Sequence, residues 1–404
     1  MIVIVAEPYI GFPNGTAATS RVAAYARGLA AAGEDVHVIM LGPSELQAST
    51  AVNTEVTGVF RGVPFEYTSV STIKSPHLIT RKWRIMTSLR RARRRIRELD
   101  ERSGVDAVLL YGSATRTGAF FDRVARSVGA LYVLSLVEMP YHGLPAGPSR
   151  DARQVHHGET FLRRFDVIVA ISTYLAGYAR THARPSAEVI VVPILVDSDD
   201  YRTDQPPAHD PRLMVYVGML NEAKDGVATL MRAFAEVSPD FPDVVLRLVG
   251  DSDDERVSNV PEFRRIAEDL GIADRVLFTG QVRREDVPRH LRDASVLVLA
   301  RPASQQADAG FPTKLGEFLA SGRPVVVTAT SDIAAYLTDG RSAFLVPPGD
   351  VGALAAGMRR SLSDPEGSAV VGACGRQVAE RSFDYRVAVE PLADTIRRLR
   401  PQTR

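Results

Sequence analysis

Residues 307–328 read ADAGFPTKLGEFLASGRPVVVT, and the apolar run SVLVLA ends just upstream near Ala300. Pro312 and Thr313 make a helix opening, Gly322 a helix stop and PVVVT a strand, so the segment is strand, loop, helix, strand. Both strands are apolar at nearly every position instead of alternating, the pattern of a parallel sheet covered by helices on both faces. One acid, Glu317, interrupts a helix whose other inward candidates are Leu315, Phe318 and Leu319.

The same unit recurs along the chain in both directions. In the second half the pattern predicts strands over 213–217, 244–249, 276–279, 296–299, 324–328 and 343–346; in the first half, over 2–5, 36–41, 107–111, 131–137, 167–171 and 189–192. Helices are expected to begin near Thr16, Arg81, Thr115, Arg150 and Thr173, and GVFRGVPFEYTS reads as a hairpin insertion. Residues 197–212, DSDDYRTDQPPAHDPR, are rich in Asp and Pro and poor in apolar side chains, which marks a linker. The fold class is therefore α/β, with two Rossmann-like doubly wound domains facing across a cleft. They cover residues 1–196 and 213–382, and ligands are expected at the carboxyl ends of the strands.

Composition agrees with this division. A chain of 404 residues suits two domains of roughly 150 to 200 residues each. A formal net charge of +1 creates no strong overall field, which argues against nucleic acid as a partner. Cys374 is the single cysteine; it can form neither an internal disulfide nor a zinc cluster, as expected in a reducing cytoplasm. The opening MIVIVAEPYIG has no basic n-region and reads as a first strand, and no later apolar run reaches the roughly eighteen residues of a membrane span.

The quoted helix start is a candidate anion site. Gly310 permits close backbone approach, Phe311, Pro312 and Thr313 lead into the first turn, and Lys314 adds charge to the free N–H groups there. Glu317 lies four residues after Thr313, on the same face and about 6 Å along the axis. At that distance from a bound diphosphate a carboxylate can accept hydrogen bonds from both hydroxyls of a nucleotide ribose; a solvated or salt-bridged Glu near a helix N-terminus is the alternative. A second constellation is GMLNEAKDG, where a strand runs into Gly218 and Lys224 precedes a helix, placed to meet phosphate as a point charge; a solvated surface lysine is the alternative.

Taken together, these segments resemble the retaining glycosyltransferases of the GT-B fold, family 4 type (glycosyl transferases group 1). The resemblance runs in order through GMLNEAK, LRLVGD, RVLFTGQVRREDVPRHLRDASVLVLA, GFPTKLGEFLASGRPVVVT and AFLVPPGDVGALAAGM. In the first domain it runs more weakly through EPYIGFPNGTAATSRVAAYARGLAAAGEDVHVI, FDVIVAISTYLAGYA and VIVVPILVD. It implies transfer of a sugar from a nucleotide diphosphate, UDP- or GDP-linked, to an acceptor hydroxyl, with retention and without a metal or other cofactor. It implies that Lys224 and the start at Pro312 to Lys314 hold the diphosphate, that Glu317 holds ribose and that Gln281 and Val282 frame the base. Asn14 and Gly15 stand where the family has adjacent glycines in a loop for diphosphate or acceptor. The family's Glu-x7-Glu signature would begin at Ala309, so the neighbouring Asp308 is the candidate acid; Glu138, in VEMPYHG, is the candidate beside the transferred sugar, with His142 four residues on. Residues 383–404 resemble the terminal helices that return to the first, acceptor-binding domain.

Two further segments complete the reading. GDSDDE, residues 250–255, contains Asp-x-Asp, a weak magnesium signal that more often marks a solvated loop. Residues 81–97 present Trp83, Met86, Leu89 and Ile96 near one face of a helix dense in arginine. That suits peripheral contact with an anionic membrane at its inner face, or with an anionic acceptor; a solvated basic helix has the same pattern. Two rivals share the fold: a sugar-nucleotide 2-epimerase, and a sugar-nucleotide-binding subunit that has lost catalysis, the latter motivated by Ala309.

Overall fold

The computed structural model describes the chain except residues 8–9, 142, 203–212, 252–257 and 401–404. It divides into two compact units, Met1–Leu195 with Tyr385–Arg404, and Val196–Asp384.

The first unit is built on β1 (Ile2–Ala6), β2 (Val36–Met40), β3 (Thr57–Phe60), β4 (Val63–Tyr67), β5 (Ala107–Tyr111), β6 (Leu131–Leu136), β7 (Val167–Ala170) and β8 (Glu188–Val191). They lie in the order β3-β4-β2-β1-β5-β6-β7-β8, parallel except for the β3–β4 hairpin. β1, β2 and β5 are buried at every position; β1 and β5 are apolar throughout, and His37, the one polar residue of β2, is paired with Glu66 at 2.7 Å. Arg61 and Gly62 turn the hairpin with φ of 46° and 88°, the paired positive values that match strand twist in a two-residue loop. The C-terminal helices Tyr385–Ala388 and Glu390–Leu399 belong to this unit, and Leu392 and Ile396 are buried in the same core as Ile2 and Val22. Gly28, on helix Ala17–Ala31, makes that contact close: a Cβ there would stand 2.6 Å from Tyr385 O.

The second unit carries β9 (Leu213–Val217), β10 (Val245–Val249), β11 (Val276–Phe278), β12 (Val296–Leu299), β13 (Val325–Thr328) and β14 (Phe344–Val346), all parallel, in the order β11-β10-β9-β12-β13-β14. The chain starts in the middle, at β9, winds outward one way and returns to wind the other. The order reverses between β9 and β12, and that switch point opens a crevice at the strands' carboxyl ends. Of the expected linker, Ser198–Tyr201 forms a 3-10 turn inside the second unit, and 203–212 lie outside the described residues.

The long helix Leu78–Ser103 departs from its expected face. Ala92, Ile96 and Leu99 are buried, whereas Trp83 and Met86 are 64% and 57% exposed. The thirteen steps from residue 83 to residue 96 turn a helix by about 220° beyond whole turns, so the two ends cannot share one stripe.

Candidate functional site

The second unit's switch point gathers side chains from three segments. Gly218 ends β9 with φ of +153°, and a Cβ there would fall on Lys314 Nζ, so glycine leaves the space that the ammonium occupies. Lys314 Nζ lies 2.9 Å from Asp225 Oδ1, donates to Tyr216 OH at 2.8 Å and sits 4.8 Å from the centre of that ring. Asp225 is 3% exposed and Lys314 19%. Burial pushes the Lys314 pKa down, Asp225 opposes the shift, and Lys224 lies near enough to add to it. Lys314 is thus tied to an internal counter-charge, while Lys224 is exposed on the turn Glu222–Asp225, whose Asn221 cap accepts from Lys224 N at 2.9 Å.

Helix Thr313–Ala320 opens at the same crevice after Pro312. The N–H groups of Thr313 and Lys314 fall in its first turn, where a helix provides no internal acceptor. Phe311 fixes the approach, buried and stacked on Tyr336 at 5.7 Å, and a Cβ on Gly310 would stand 3.1 Å from Gln306 O. One turn on, Glu317 Oε1 accepts from Arg284 Nη2 at 2.8 Å. Arg284 follows Gln281, which is exposed, and Val282, which is half-buried, so the expected base-framing loop and the expected ribose acid come together. Asp308 is exposed on the turn Gln305–Ala309, and Ala309 is fully buried beside it.

The first unit has its own switch point, between β1 and β5. Glu7, buried at the end of β1, accepts from Ser113 N at 3.2 Å and Ala114 N at 2.9 Å, capping helix Thr115–Ser127. Burial raises its pKa against those two hydrogen bonds. Asn14 and Gly15 are exposed, and Asn14 is braced by Asn53, which accepts from its N–H at 2.9 Å and donates to its carbonyl at 2.8 Å. Glu138 is exposed past the end of β6; His142 lies outside the described residues, as do 252–257 of the acidic stretch. His157 is buried on helix Pro148–Phe161, tilted against Phe161 at 4.6 Å.

Sequence reasoning missed Asp225, Arg284 and Glu7. Asp225 adjoins Lys224, but nothing in the spacing pairs it with Lys314. Arg284 sits in RRED, which reads as solvated charge. Glu7 carried a signal: a lone acid ends the apolar run IVIVA.

A family model described as "Glycosyl transferases group 1" matches residues 211–364, and one described as "Glycosyl transferase 4-like domain" matches residues 16–194. The chain belongs to the family 4 glycosyltransferases of the GT-B fold. This glycosyltransferase is 28% identical to a GDP-mannose-dependent alpha-(1-6)-phosphatidylinositol monomannoside mannosyltransferase of Mycolicibacterium smegmatis, over 72% of this chain and 76% of the relative. It is 24% identical to the protein of the same description from Mycobacterium tuberculosis, over 75% and 78%. Among solved structures, a sucrose-phosphate synthase from Thermosynechococcus elongatus shares the fold with a TM-score of 0.73 at 19% identity, covering 99% of both chains. Anabaena HepE in complex with UDP does so with a TM-score of 0.71 at 17% identity, over 99% of this chain and 100% of HepE.

Proposed function

We propose that this glycosyltransferase takes a sugar from a guanosine diphosphate donor and moves it to a hydroxyl of a lipid-linked acceptor, with retention of configuration and without a bound metal. The observation that carries the reading is the convergence of Gly218, Lys224, the open first turn at Thr313 and Lys314, and Glu317 on one switch point. A diphosphate meets exposed Lys224 and the first-turn N–H groups there, with Gly310 and Phe311 forming the approach, Glu317 receiving ribose, and Gln281 and Val282 framing the base. That positive charge serves the leaving group in place of a metal. Guanosine is favoured over uridine because the relatives with broad coverage are named as GDP-mannose-dependent.

The first unit binds the acceptor in this reading. The bond from the anomeric carbon to the β-phosphate oxygen breaks, that oxygen keeps the electron pair, and the acceptor oxygen bonds to the same face. Its proton passes to the departing phosphate. Glu138 contacts the transferred sugar, Asp308 takes the role of the signature's first acid, and Asn14 and Gly15 shape the loop for diphosphate or acceptor. Exposed Ile79, Trp83 and Met86 on an arginine-rich helix support peripheral contact with an anionic membrane, where a lipid-linked acceptor would reside.

The test is turnover of GDP-mannose with a lipid extract and a chelator present, read as GDP release and as the product's anomeric configuration by NMR. GDP release with the donor's configuration preserved is expected. An isomerised sugar nucleotide without an adduct, nucleotide binding without release, or an inverted product would each contradict the reading.

A further inference from the structure

Glu317 already has a cation at one of its two oxygens. Arg284, on the 3-10 turn Arg284–Asp286 after β11, holds Glu317 Oε1 at 2.8 Å; the arginine side chain is 53% exposed and the acid 16%. Glu317 holds the Arg284 pKa above the ordinary guanidinium range, and both charges reach the buried phenol of Tyr201. A carboxylate grips a ribose diol most strongly by giving one oxygen to each hydroxyl. A ribose hydroxyl is a neutral donor, and its bond to a carboxylate is weaker than the guanidinium's, which is charged on both sides. A hydroxyl therefore does not displace Arg284; Oε1 keeps a second acceptor site but shares its charge with the guanidinium, so Oε2 is the stronger acceptor left for a hydroxyl.

We propose that Arg284 makes the two oxygens of Glu317 unequal acceptors, so that one ribose hydroxyl is held more strongly and the enzyme discriminates against one deoxyribose isomer of its nucleotide more than the other. Arg284 is then a specificity-determining residue that acts through Glu317. The inference rests on the reading of Glu317 as the ribose acceptor.

Calorimetric titrations with GDP, 2′-deoxy-GDP and 3′-deoxy-GDP test it on the wild type, Arg284→Ala and Arg284→Gln. In the wild type one deoxy isomer should bind about tenfold more weakly than GDP and the other within about threefold; in both variants the two isomers should each lose about tenfold. Comparable losses for both isomers in the wild type overturn the proposal, and that comparison decides the case even if neither variant folds. Equal tolerance of both isomers in the wild type overturns it as well. Glu317→Gln separates the two levels of the argument. If it leaves GDP affinity unchanged, the ribose reading fails and takes the inference with it. If it weakens GDP while the wild type discriminates equally against both isomers, only the role of Arg284 fails.

Discussion

At the scale of single residues the proposed donor site divides its two lysines between different tasks. Lys314 is tied to Asp225 in a place where removing one partner strands the other charge. Asp225→Ala should cost about 3 kcal/mol of stability, read by denaturant unfolding, because a buried pair broken from one side leaves an uncompensated ion. Lys224 is exposed, and Lys224→Ala should leave stability within about 0.5 kcal/mol. It should also weaken GDP much more than guanosine, since only the former carries the charge it meets; equal losses in calorimetry would remove it from the phosphate site. His157 makes a pH prediction. Burial holds its pKa below the ordinary value, so the folded state binds fewer protons than the unfolded chain, whose imidazole titrates near about 6.5. Stability from this group is present above that pH and is lost as pH falls towards the folded value. His157→Phe should flatten that part of the unfolding curve, and an unchanged slope would contradict the assignment.

At the scale of elements, the central strands were legible because β1, β9, β12 and β13 are short apolar runs buried on both faces, whereas β3 and β4 of the hairpin alternate. Gly322 and Pro312 delimit helix Thr313–Ala320 for equally local reasons. Helix Leu78–Ser103 was read less well, because its two halves face different surroundings: Ile96 enters the core and Trp83 does not. Its outer half gives a test of membrane contact. The double variant Ile79→Ser, Trp83→Ser should lower binding to phosphatidylglycerol vesicles at least about tenfold in co-sedimentation, each side chain contributing about 1.5 kcal/mol or more of apolar transfer. Undiminished binding to those vesicles would assign the exposed face another role.

At the scale of the whole molecule, two parallel sheets were readable from alternation, but the order of their strands was not. Apolar runs say that a strand is buried without saying beside which neighbour, and the reversal between β9 and β12, where the donor site is proposed, is a property of the assembled sheet. The same limit hid the Arg284–Glu317 pair, whose members are 33 residues apart in sequence and meet only through tertiary packing. The proposed function requires a nucleoside diphosphate at the second unit's switch point. Hydrogen exchange of the full chain with and without saturating GDP tests it most directly. Slowed exchange is expected in peptides covering 218–226, 281–286 and 310–320, where Lys224, Arg284 and the first turn of helix Thr313–Ala320 lie. Slowed exchange confined to the first unit, around residues 7–16 and 112–115, would contradict it.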